Sequence, residues 1–174
     1  MKKTLPKILL IAAGIVLIIL LDQLTKAWAV RALKDAPDLV LIPGALVFRY
    51  LENTGMAFGF LKAFKHRELF FYIVTGVILV PVLVLVLKMQ LKKRNLPIFI
   101  AFLMLAGGAV GNLIDRVRLH YVVDFIYFSL IDFPVFNVAD IFVSLSCVLL
   151  FFLILFVYKD EELRQLLWPF GKKK

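Results

Sequence analysis

Four aspartates, Asp115, Asp124, Asp132 and Asp140, fall in the interval Gly107 to Asp140, GGAVGNLIDRVRLHYVVDFIYFSLIDFPVFNVAD, which lies between strongly apolar runs. Two carboxyl groups held close together cannot both ionise cheaply, so they share a proton, and one serves as base while the other serves as acid. Such a pair activates water against an amide. Asn137 stands three residues before Asp140, the spacing of a helix N-cap and a third helical residue, which turns Asp140 toward the positive end of the helix dipole. The same spacing is equally that of a capping box with no catalytic part. Asp124 precedes Asp140 by sixteen residues, which neither compels nor forbids contact. Asp132, beside Phe133 and Pro134, reads as a turn residue.

Other chemistries fail on residue type and spacing. The only histidines, His66 and His120, do not form an HExxH pair for zinc. Ser129, Ser144 and Ser146 lack a GxSxG context and a nearby histidine. Cys147 is the single cysteine, which excludes an internal disulfide and a CxxC site, and inside an apolar run it reads as inert packing. Neither a P-loop nor a dinucleotide glycine fingerprint is present.

The frame that must hold the acids is a membrane frame. The chain has 174 residues, of which 63% are hydrophobic and 19% charged, too apolar for a water-soluble domain. Its net charge of +9 sits in short groups between apolar runs, the pattern of orientation signals facing lipid head groups and not of a nucleic-acid stripe. Four spans are expected, at about 8–30, 69–87, 97–114 and 138–158, with Pro81 tolerated inside the second and Pro97 opening the third. The first run begins like a secretory signal but meets Asp22, Gln23 and Lys26 in place of a cleavage site, so it reads as an uncleaved span. Asp22 lies about 21 Å along the helix from Ile8, deep enough to need a partner, and Lys26 stands four residues later on the same face. Gly107 and Gly111 form a GxxxG spacing that permits close helix approach.

Between the first two spans, residues 36–67 carry turn residues and a β-prone patch from Ala45 to Leu51. The stretch from Leu51 to Phe60 reads as a turn followed by an amphipathic interfacial segment. Twelve of the 21 Lys and Arg residues fall in the amino terminus, the loop between spans two and three and the tail. The positive-inside rule then places both termini in the cytoplasm, and Asp22, Asn53, Asp115, Arg116, Asp124, Asn137 and Asp140 near the outer surface.

Five short motifs, Asp22-Gln23-Leu24-Thr25-Lys26, Glu52-Asn53-Thr54-Gly55-Met56-Ala57-Phe58, Gly111-Asn112-Leu113-Ile114-Asp115-Arg116, Val122-Val123-Asp124-Phe125 and Phe136-Asn137-Val138-Ala139-Asp140, occur in this order on the four-span frame. In them the chain resembles the bacterial lipoprotein signal peptidases (signal peptidase II) over nearly its whole length. The resemblance implies a single all-α integral membrane domain of four helices, with a small outer-side β cradle and an interfacial helix. It also implies an intramembrane aspartyl endopeptidase of the bacterial cytoplasmic (inner) membrane. Such an enzyme cuts diacylglyceryl-modified prolipoproteins just before the lipidated cysteine. By the same resemblance Asp124 and Asp140 are the catalytic pair, Asn53, Asn112, Arg116 and Asn137 hold the substrate, and Arg116 is a charge partner. Asp115 orients Arg116 or the loop, and Asp22 is structural. Met56 stands where the family often has a small residue. Prolipoprotein substrates and membrane lipids are the implied partners, with no metal, no cofactor and no nucleic acid; a monomer is the simplest oligomeric state.

Two rival classes remain at the level of the sequence. A small proton-coupled transporter or channel needs ionisable groups at successive depths, whereas here they gather near one face. A noncatalytic assembly factor using the GxxxG face leaves the paired acids without a role.

Overall fold

A computed structural model gives the structure of residues 4–55 and 66–167. Among these residues four helical stretches are long and apolar enough to cross a membrane: Leu5–Leu33, Glu68–Lys88, Lys93–Leu119 and Val138–Val157. The chain is a multi-pass membrane protein whose described residues form four membrane-spanning helices and a small antiparallel sheet.

Helix α1 (Thr4–Leu33) is about 45 Å long at 1.5 Å per residue, so it outreaches a hydrocarbon core of about 30 Å. Leu9, Leu10, Leu17, Leu20 and Leu24 are exposed along it, as a lipid-facing side requires, while Ile11, Ile18, Asp22, Lys26 and Ala29 are buried. Helix α2 (Arg67–Lys88) contains Pro81 and starts with Glu68 in its first turn. Helix α3 (Leu96–Leu119) is the most buried and packs against all three other spans. Helix α4 (Val138–Phe152) continues into a π-helical turn, Leu153–Val157, and a short helix α5 (Asp160–Leu167) follows. Lys7 donates to the carbonyls of Leu87 and Met89, and Tyr158 to that of Arg94, so the start of α1 and the ends of α2 and α4 meet the start of α3 at one end of the bundle.

The sheet stands at the other end. Strand β1 (Leu39–Ile42) pairs with β2 (Leu46–Asn53), which pairs with β3 (Val122–Phe128), all antiparallel. The residues from Val122 to Phe128, between the third and fourth expected spans, form a strand that lies opposite β2, with Leu51 facing Asp124 and Asn53 facing Val122. Alternation along a strand sends neighbours to opposite faces. Val123 and Phe125 pack with Ala29 and Leu33 of α1, and Phe125 meets Trp28 edge to face at 6.0 Å between ring centroids. Val122 and Asp124 face the other way.

Helix α3 also runs past the expected limit of Ile114, to Leu119. Its charges do not stop it because Asp115 is satisfied inside the bundle and Arg116 lies over the Phe71 ring. It ends at His120, whose left-handed φ of 66° turns the chain toward β3. The glycines of α3 divide their work between two neighbours. A Cβ on Gly107 or Gly111 would stand 2.7 Å from Ile18 or 2.6 Å from Asp22 of α1, and one on Gly108 would stand 2.6 Å from the Ala139 carbonyl of α4. Cys147 is exposed on the outward side of α4 and not part of the core packing. The expected interfacial segment, apart from its beginning at 51–55, and Met56 lie outside the described residues.

Candidate active site

A cavity of about 550 Å³ opens where β3, α3, α4 and the end of β2 converge. Asn53, Asn112, Arg116, Asp124 and Asp140 all line it, and Phe71, Phe136, Ile141 and Leu145 form much of its apolar wall. Five of the six residues expected in the site therefore line one cavity. The sixth, Asn137, is fully buried beneath it. Asn137 therefore supports the two acids and does not line the cavity.

Strand β3 delivers Asp124, which is 1% exposed. Its Oδ1 accepts from Asn137 Nδ2 at 2.6 Å and its Oδ2 from Asn53 Nδ2 at 2.8 Å. Burial pushes the Asp124 carboxyl up to about 7, and the charge of Asp140 adds to the rise, while the amides of Asn53 and Asn137 and the charge of Lys26 oppose it. The N-terminus of α4 delivers Asp140. Its backbone N–H donates to Asn137 Oδ1 at 3.0 Å, and its own Oδ2 accepts from the Asn137 backbone N–H at 3.1 Å, which completes a capping box. The remaining oxygen, Oδ1, accepts from Asn112 Nδ2 at 2.7 Å. The capping and functional readings of Asp140, level in the sequence, are thus compatible: one oxygen serves the helix and the other faces the cavity network.

Asn137 joins the two acids, because its Nδ2 also donates to Asn112 Oδ1 at 3.1 Å. Asn137→Ala removes an N-cap and leaves both Asp124 Oδ1 and one Asn112 contact unmet. The expected result is a loss of about 1–2 kcal/mol of stability, read as a lower thermal midpoint in detergent; an unchanged midpoint would count against the cap.

Arg116 lines the cavity together with both acids. Among the described residues it has no carboxylate within ion-pair distance; its guanidinium lies 4.1 Å from the Phe71 ring centroid and Nη1 reaches the Asn112 carbonyl at 3.5 Å. A cation over an aromatic face, beside the cavity, keeps donors available to a ligand. Asp115 and Asp22 stand away from the cavity, each 2.9 Å from Lys26 Nζ. Asp115 Oδ2 also accepts from the Val123 N–H at 3.2 Å, which ties α3 to the residue next to Asp124. Asp132 is a left-handed turn residue, held by the Tyr127 hydroxyl at 2.6 Å. Among the described residues no group of three or more His, Cys, Asp and Glu side chains is placed to hold a metal ion.

Residues 14–156 match the family described as Signal peptidase (SPase) II. The chain belongs to the signal peptidase II family. It is similar to the lipoprotein signal peptidase of Clostridium tetani, 42% identical over 151 residues that cover 84% of this chain and 91% of the relative. It is also similar to that of Streptococcus pyogenes serotype M5, 32% identical over 153 residues, 88% of this chain and 95% of the relative. Among solved structures, a bacterial membrane enzyme determined by the in meso method at 2.3 Å superposes with a TM-score of 0.71 at 29% identity, over 94% of this chain and 93% of the other. Another at 1.9 Å does so with a TM-score of 0.71 at 28% identity, over 85% and 94%.

As a member of the signal peptidase II family the chain is a protease, and its cavity carries features that its spacing pattern did not reveal. The apolar wall of Phe71, Ile141 and Leu145 had no sequence signal beyond membership of apolar runs. Gln23 bridges Asp22, Asp115 and the Gly111 carbonyl at 3.1, 2.9 and 3.3 Å. Its place in the motif with Asp22 and Lys26 was the one available hint.

Proposed function

We propose that this protein removes signal peptides from diacylglyceryl-modified prolipoproteins, cutting before the lipidated cysteine by aspartyl chemistry at Asp124 and Asp140. The observation that carries the reading is the placement of two carboxyls from separate elements in the lining of one cavity, joined through Asn137 and Asn112. We assign the shared proton of the resting enzyme to Asp124, the carboxyl that burial and the charge of Asp140 raise. A water held between the pair attacks the scissile carbonyl; Asp140 takes the water's proton, and Asp124 gives its own to the leaving amine. Asn53 and Asn112 orient the acids and the substrate backbone, and Arg116 donates to peptide carbonyls. The apolar wall suits acyl chains that enter sideways from the bilayer. Both termini are assigned to the cytoplasm by the basic clusters, which puts the site near the outer face of the bacterial inner membrane. The buried charged side chains Asp22, Lys26, Asp115 and Asp124 gather at the end of the bundle where the sheet stands, which supports a single reaction site over an ion path.

Purified protein in detergent micelles is expected to cleave a diacylated prolipoprotein and to spare the same precursor without lipid. EDTA and serine or cysteine reagents should leave the rate unchanged. The pH profile follows from the raised carboxyl. Below about 7 the pair retains its shared proton; as pH rises through that value both acids ionise, no proton remains for the leaving amine, and kcat/KM falls. At low pH a second proton removes the base and the rate falls again; both apparent values belong to the pair. A rate that stays flat from pH 5 to pH 9, or one abolished by chelator, would overturn the mechanism.

A further inference from the structure

Lys26 takes no part in that reaction, yet its ammonium lies one hydrogen bond from the amide that holds Asp140. The side chain is 3% exposed, and its Nζ stands 2.9 Å from Asp22 Oδ2, 2.9 Å from Asp115 Oδ2 and 2.9 Å from Asn112 Oδ1. An ammonium has three hydrogens and no acceptor, so all three are committed, and the Asn112 atom facing it must be the oxygen. The Asn112 nitrogen is thereby turned to Asp140 Oδ1, at 2.7 Å. Neutralising two carboxylates would use two of the three hydrogens; the third is directed at the dyad's own support. Helix packing provides the space for this: Gly111 leaves room for Asp22, whose Oδ2 would stand 2.6 Å from any Cβ there, and Asp22 Oδ1 accepts from the Ala139 N–H at 2.9 Å.

We infer that Lys26 is a positioning residue of the peptidase, its ammonium fixing the Asn112 side-chain amide so that nitrogen and not oxygen meets Asp140. Without the cation only the Asn137 Nδ2 contact, at 3.1 Å, still holds that oxygen against a turn of the amide about its last torsion, a soft two-fold rotation. Its oxygen would then meet the carboxylate that has to accept a proton from water. The inference rests on the assignment of Asp140 as the base.

The test replaces the buried ion cluster by neutral groups of similar shape, Asp22→Asn with Lys26→Met and Asp115→Asn, an exchange that buried ion clusters often tolerate in stability. In protein that keeps its cooperative thermal transition, kcat is expected to fall about tenfold or more with KM within about threefold, the split of a group acting on the chemical step. Adding Asn112→Ala to this triple variant should bring no further loss beyond Asn112→Ala alone, because both act on one contact. Wild-type kcat in the folded triple variant, or losses that multiply in full, would overturn the inference. Where the triple variant yields no folded protein, Lys26→Arg and Lys26→Met decide: arginine keeps a cationic donor at Asn112 Oδ1, so kcat should be about tenfold higher than with methionine, and equal values reject the role. An active Asp140→Asn enzyme removes the underlying dyad instead. An inactive Asp140→Asn beside a fully active triple variant removes Lys26 alone.

Discussion

Asp124→Asn and Asp140→Asn, each made alone, are expected to lower kcat by about 10³-fold or more, the range that a positioned acid or base supplies in proton transfer. Neither variant should unfold. Each asparagine keeps the volume of the aspartate and one of its two accepting oxygens, so Asp140→Asn retains either the Asn137 backbone contact or the Asn112 contact, and Asp124→Asn either the Asn53 or the Asn137 contact. The lost hydrogen bond costs about 0.5–1.5 kcal/mol, and removal of a buried charge offsets part of that. Loss of rate with little loss of thermal stability is therefore the signature of chemistry, and a large drop in both would indicate a scaffold role. Measurement is of initial cleavage of diacylated precursor by each purified variant beside its melting curve in the same detergent. A folded variant of either kind with full activity sinks the dyad. Asp132→Asn supplies the contrast: its side chain meets the Tyr127 hydroxyl at a loop tip, outside the cavity lining, and its rate should stay at the wild-type level.

The extent to which these arrangements were legible in the sequence depended on the range of the interaction. Four apolar runs announced the spans because a bilayer demands a continuous apolar length, and that demand is local. The Asp22–Lys26 pair was equally local, four residues apart on one helix face. The remaining contacts of Lys26 were not, since Asn112 lies 86 positions away and meets it only because α3 approaches α1 through Gly107 and Gly111. The end of α3 was set too early for a related reason. Asp115, Arg116 and Arg118 look like an exit into water until the partners of Asp115 are known. Strand β3 had its own signal in Val122, Val123, Phe125, Ile126 and Tyr127, residues that favour a pleated surface. What concealed it was the distance in sequence to its partner β2, and an aspartate at its centre that is explained only by the cavity. The choice of Asp124 and Asp140 over Asp115 came from family resemblance. The geometry supplies a physical reason for it, because Asp115 is consumed by Lys26, Gln23 and the Val123 amide, whereas the other two reach the cavity.

Gly108→Ala is expected to be among the most damaging single methyl groups added at the described glycines. The new Cβ would stand 2.6 Å from the Ala139 carbonyl oxygen, 2.9 Å from a Val143 methyl and 3.3 Å from the Val143 backbone nitrogen, and two of these three are backbone atoms that cannot rotate away. Relief requires α4 to move off α3. Overpacking of this kind costs about 1–3 kcal/mol. The larger effect is on rate, because Ala139 immediately precedes Asp140, and Asn137, which holds both acids, begins the same turn of α4. Asn112 and Arg116 lie one and two turns along α3 from Gly108, so the two helices that slide apart carry opposite sides of the hydrogen bond from Asn112 to Asp140. A displacement of about 1 Å at a reacting group costs about 10²-fold. Gly76→Ala in α2, where an added Cβ meets nothing within 4 Å, controls for the general effect of alanine on a helix and should leave both stability and rate near wild type. If Gly108→Ala retains full activity with an unchanged melting point, the close approach of α3 and α4 is not what sets the position of Asp140. If it loses rate as Gly76→Ala does not, the glycine determines how the acids face each other.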